Sequence, residues 1–213
     1  MKKLVVLLLA VIMLVSVVPS TFAQDFTKDT IIQEEIKSSF TKDDILKLSP
    51  YVSVEKGYFV LDSENALRAG HSKELIKGQQ SYFDYLNKEI QQGNLAAKEN
   101  LEIINLKTPS DNFNIAASCE GISTAVEHHW WGYSRYMDSC EADRFAADLA
   151  SAASVATGVA VVAAYFGGVP AIPPGLGAAY FALVSSRVSS NNAHGTGIFI
   201  EMTWVLVFDI TPQ

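Results

Sequence analysis

Cys119 and Cys140 are the chain's two cysteines, so they allow at most one intramolecular disulfide and cannot build a four-cysteine zinc site. They bracket the segment with the densest chemistry, Glu127-His128-His129-Trp130-Trp131-Gly132-Tyr133, followed by Tyr136. Glu-His-His offers carboxylate and imidazole, both zinc ligands. On a strand, however, adjacent side chains leave on opposite faces, so His128 and His129 do not reach one ion. His71 and His194 are isolated, and the histidines read as structural, with no metal or cofactor expected. Trp130, Trp131, Tyr133 and Tyr136 form an aromatic patch with two readings: core packing, or a surface that meets a membrane interface or a sugar. The sequence carries no Gly-rich phosphate loop, no G-x-S-x-G elbow, no HExxH and no catalytic Cys-His signature. No catalytic residue is assigned and no enzyme is expected.

The elements that must position these groups come from pattern. Ile122, Thr124, Val126, His128 and Trp130 alternate as one side of a strand. Ile198, Ile200, Met202, Trp204, Leu206 and Phe208 alternate as another, whose second face, Phe199, Glu201, Thr203, Val205, Val207 and Asp209, is partly polar. These two strands are expected to pair. Between them, Leu149 to Ser186 is 38 residues without a charged side chain. Asp138 and Glu141 fit a capping pattern for a first helix running to about Phe166. The Gly167 to Gly175 stretch, with Pro173 and Pro174, breaks the chain, and a second helix from about Leu176 to Ser189 completes a hairpin. A Cys119–Cys140 disulfide beside it would stabilise the fold by about 3 kcal/mol on the loop-entropy model. It requires Gly132 to Ser139 to return nearly extended, and two separate thiols are the alternative.

Ala146, Ala150, Ser154 and Gly158 lie four apart on one face of the expected first helix, a small-xxx-small pattern that suits close packing in lipid or in a soluble core. The eighteen residues from Leu149 to Phe166 make about 27 Å of helix, at the limit for spanning a bilayer. The hairpin therefore has two readings, a membrane-inserting element and a buried core.

Composition sets compartment and organisation. Met1 to Ala23 has a basic start at Lys2 and Lys3, an apolar run from Leu4 to Val18, and small residues Thr21 and Ala23 at a cleavage site. It reads as a secretory signal peptide cut before Gln24. Its removal takes the net charge from −7 to −9. Such acidity disfavours nucleic acid, whose backbone binding needs Lys and Arg. About half the residues, 49%, are hydrophobic against 18% charged, which excludes a disordered polymer. Ten lysines lie between Gln24 and Lys107 and none beyond. That boundary suggests a polar α+β module over 24–107, a turn-rich linker over 108–114, and a hydrophobic unit over 115–213. Within the first module, Thr41 with Asp44 marks a helix start. Tyr51 to Val54 and Tyr58 to Leu61 flank a Glu55-Lys56-Gly57 turn. Leu75, Ile76, Phe83, Leu86 and Ile90 give Ser72 to Gln92 a helical stripe closed by Gly93.

His129-Trp130-Trp131-Gly132-Tyr133, the Ala/Gly-rich hairpin and Gly195-Thr196-Gly197-Ile198 resemble a group of small secreted proteins of Gram-positive bacteria without assigned function. The layout is also similar to precursors of bacteriocin-like toxins. The resemblance implies no catalytic or ligand residues. The expected fold is α+β, a small helical N-terminal module followed by a hydrophobic helical hairpin between two paired strands. The expected function is a secreted bacteriocin-like or membrane-active protein, with a target-cell membrane or cell-surface component as partner. The alternative is a secreted cell-surface binding or structural protein whose hairpin is only core.

Overall fold

A computed structural model describes residues 40–106, 119–168 and 176–213, and all of them belong to one compact unit, Ile36–Gln213. The signal peptide, the 108–114 linker, Pro173 and Pro174 lie outside the described residues. The fold is mixed α+β.

Short-range signals set the first elements. Helix α1 (Lys42–Leu46) starts at the expected Thr41, whose hydroxyl and the Asp44 carboxylate cap each other's backbone amides. Strands β1 (Val52–Glu55) and β2 (Tyr58–Leu61) form the expected hairpin, turning at Lys56 and Gly57, both at positive φ. A short helix α2 (Ser63–Arg68) follows, then α3 (Lys73–Gln91), capped by Ser72 and buried along Leu75, Ile76, Tyr82, Phe83 and Leu86. Strands β3 (Leu95–Ala97) and β4 (Ile103–Asn105) add a second small hairpin.

The second half departs from the expected pairing. The first predicted strand is only β5 (Glu127–His129); Ile122, its expected start, is 57% exposed. Trp130 and Trp131 turn the chain back into β6 (Gly132–Met137), and it is β6, not the predicted strand, that pairs antiparallel with β7 (Ile198–Thr203). The turn is held because both tryptophan carbonyls are engaged: Gln79 Nε2 donates to Trp130 at 2.9 Å and the Trp204 amide to Trp131 at 3.2 Å. Strand β6 is also the extended return that the disulfide needs.

The predicted final strand is likewise a hairpin. It breaks at Trp204 to Val207 and continues as β8 (Phe208–Pro212). Trp204, Val205 and Leu206 are all buried, which a two-residue alternation cannot supply, and Leu206 takes a positive φ of 62°. The sheet order is β5-β6-β7-β8.

Between β6 and β7 in sequence the described residues form three helices instead of the expected two. The expected long helix is split into α4 (Ser139–Ala150) and α5 (Val155–Phe166), because Ser154 and Thr157 form a new capping box. Helix α6 (Ala178–Asn191) follows. Helix α4 lies along α6, with Ser185 Oγ donating to the Ala146 carbonyl at 2.7 Å. Phe145, Phe166 and Phe181 are fully buried. A side chain of that size contributes about 1.5–3 kcal/mol when removed from water, so these rings carry much of the local stability.

The lysine boundary is a change of composition without a break in packing. Tyr82 on α3 donates to the carbonyls of His129 and Gly132, each at 2.8 Å. Residues from both sides of it thus share one core.

Candidate functional site

Directly paired residues in a sheet share a face, so the register defines a surface. On one face of the four-stranded sheet lie His128, Tyr133, Met202 and Phe208, with Met137, Ile198 and Ile200, nearly all buried. Arg135 shares this inner face and is tied to the helices by Glu141 at 2.6 Å and the Tyr165 carbonyl at 2.8 Å. On the outward face, Glu127, Ser134, Glu201 and Asp209 stand in one cross-strand row. A second row, Tyr136, Phe199 and Thr211, runs beside it.

Helix α1 reaches onto this face. Lys42 Nζ lies 2.5 Å from Glu201 Oε2 and 4.4 Å from the centroid of the Trp131 ring, an ion pair combined with a cation–π contact. His129 stacks on the same tryptophan with centroids 4.5 Å apart and planes 3° from parallel. Its Nε2 is 2.7 Å from Ser134 Oγ. Burial pushes the His129 pKa down, an effect Glu127 and Glu201 oppose and Lys42 reinforces. A serine within reach of an imidazole is the beginning of a nucleophilic dyad. Ser134, however, is 2% exposed in the middle of the sheet, so its hydroxyl is covered and serves to orient the imidazole.

At the β5 end the face opens into a groove of about 410 Å³, bounded by Leu101, Ile104, Asn105, Glu127, His129 and Trp131. A larger recess of about 580 Å³ lies between the β1–β2 and β3–β4 turns, away from the aromatic segment.

The expected aromatic patch divides. Trp130 and Tyr133 are core residues, whereas Trp131 and Tyr136 belong to the outward face, Tyr136 tilted against Phe199 at 4.7 Å. His128 and His129 leave on opposite faces, His128 packing edge-on against Tyr133 at 5.3 Å. Burial holds the His128 pKa at about 4, and its Nδ1 has no hydrogen-bond partner among the described residues.

Cys119 and Cys140 are joined, with Cα atoms 5.4 Å apart. Their sulfurs lie near Asp138. As a disulfide they offer no thiolate to a metal.

The small-residue stripe is not one face. Ala146 is buried on α4, Ala150 is exposed at its end, Ser154 is the cap of α5, and Gly158 packs against Phe181. The residues that sequence reasoning left out are Lys42, Phe199, Glu201 and Asp209 as a site. The polar alternation of 198–208 was their one signal; register and the placement of α1 supplied the rest.

No protein family, no curated protein and no solved structure matches the chain.

Proposed function

We propose that this chain is a secreted cell-surface binding protein that works through the outward face of its four-stranded sheet and the adjoining groove. The observation that carries the reading is the row of carboxylates beside half-covered aromatic rings, with Glu127 and Asp209 exposed at its two ends. Exposed aromatic and charged groups on a rigid sheet suit recognition, because the scaffold loses little freedom on binding. The disulfide supports export, since such bonds persist in oxidising compartments. The apolar helices support a core role. Gly158 faces Phe181 so closely that a Cβ would enter the ring, and Val162 and Phe166 are fully buried. Among the described residues no helix is long and apolar enough to cross a membrane. The test is retention of the purified full chain on intact Gram-positive cells, with release by salt. A wild-type protein that stays entirely in the wash would overturn the reading.

One observation favours a second reading, action on a membrane. Helix α5 turns an uncharged surface outward, Ala156, Thr157, Ala160 and Ala164. Dye release from anionic or neutral vesicles by the folded protein tests it, and an intact dye signal across a wide pH range counts against it.

A further inference from the structure

We propose that the outward sheet face takes a basic peptide segment, an extended stretch of a partner protein carrying lysine side chains; this rests on the binding reading above. Lys42 shows how the face holds an ammonium. Its Nζ is placed by a carboxylate, Glu201, and by an aromatic ring, Trp131. Both contacts favour an organic cation with an apolar stem.

The same two kinds of group, an aromatic pair and a carboxylate, stand further along this face in neighbouring rows. Tyr136 and Phe199 lie opposite each other in register, in ring contact at 4.7 Å, with Tyr136 38% exposed. Asp209 is registered with Glu201, is exposed, and forms no ion pair among the described residues. Phe199 is two positions from Glu201 on β7, so the aromatic pair lies one same-face step, about 7 Å, from the carboxylate row. Lysines at alternate positions of an extended peptide project to one side at that same interval. At the other end of the row Glu127 is also exposed and without an ion pair among the described residues. Among the described residues the face therefore presents Glu127, Glu201 and Asp209, with Lys42 placed against Glu201. Such a field draws in basic chains and repels phosphate backbones. The aromatic rings select a lysine side chain over a bare inorganic cation.

The probe is a fluorescent peptide in which lysine alternates with serine, titrated into the full-length exported protein by anisotropy. Asp209→Asn should weaken binding about fivefold, as the loss of one exposed ion pair allows. Tyr136→Ala should cost about threefold through the lost cation–π contact, and Tyr136→Phe should restore it. Glu74→Gln, which removes the same charge from an exposed site on α3, should change binding less than twofold. Circular dichroism of each variant confirms the fold. Equal affinity for the lysine-acetylated peptide, or equal weakening by Asp209→Asn and Glu74→Gln, overturns the inference. So does binding of an amine-bearing wall polymer with none of the peptide. If wild type and Asp209→Asn, Tyr136→Ala protein are retained equally on cells, this inference falls and the binding reading is left with the Glu127 end of the face and its groove. If wild type is not retained at all, the binding reading itself falls.

Discussion

Gln79 and Trp204 are 125 positions apart and share a buried hydrogen bond of 2.8 Å, from the indole Nε1 to the Gln79 side-chain oxygen. The same glutamine donates its amide to the Trp130 carbonyl. One side chain on α3 thereby fixes both turns that shape the sheet, the β5–β6 turn and the bend between β7 and β8. The neighbouring Gly78 leaves room for the Trp204 ring, which a Cβ would meet.

Gln79→Ala should therefore destabilise the protein by about 3 kcal/mol, since it strands a buried indole N–H and a buried carbonyl. Urea denaturation of the variant measures it. A loss below about 1 kcal/mol, within the range of one ordinary net hydrogen bond, would show that the pair does not hold the turns.

Gly158→Ala should cost about 1–3 kcal/mol, because the added methyl overlaps the Phe181 ring in a filled core. In a double-mutant cycle with Phe181→Ala the two losses should be clearly less than additive. Additive losses would place the strain elsewhere. The result also bears on the membrane reading, for which Gly158 was expected to sit on a lipid-packing stripe.

His128 makes stability pH-dependent in a defined window. Its imidazole protonates near 6.5 when unfolded and near 4 when folded, because burial disfavours the charged form. Between those values the unfolded chain binds more protons, so stability falls as pH drops from about 6.5 and levels off below about 4. The loss is on the order of 3 kcal/mol. His128→Phe should flatten thermal stability across that window relative to wild type. Parallel curves for the two proteins would dismiss the effect.

Replacing Cys119 and Cys140 with serine should remove about 3 kcal/mol, as expected for freeing a loop closed across 21 positions. Mass analysis without reductant should find no alkylatable thiol in the exported wild type. Two free thiols would refute the pairing.

Elements set by neighbours within a few residues were legible in the sequence. Thr41 with Asp44, Lys56-Gly57, Ser72 and Asp138 each contain their own cap or turn chemistry, so α1, the first hairpin and the starts of α3 and α4 follow from local hydrogen bonding. The α+β class and the polarity of the last strand's second face followed from periodicity. Tertiary partners decided the rest. Trp130-Trp131 and Trp204 to Val207 read as strand because bulky apolar residues continue the alternation; they turn because Gln79 and the tryptophan amide take up their backbone and indole groups from across the chain. The small-residue stripe read as one face because a helix was assumed to pass Ser151 to Ser154, where the Ser154–Thr157 box instead starts a new one. The candidate site lay furthest from the sequence. Lys42 and Glu201 are 159 positions apart, and Glu127, Ser134, Glu201 and Asp209 become neighbours only through register. Residue type fixed the charge each could carry, whereas sheet order and the docking of α1 decided which charges meet.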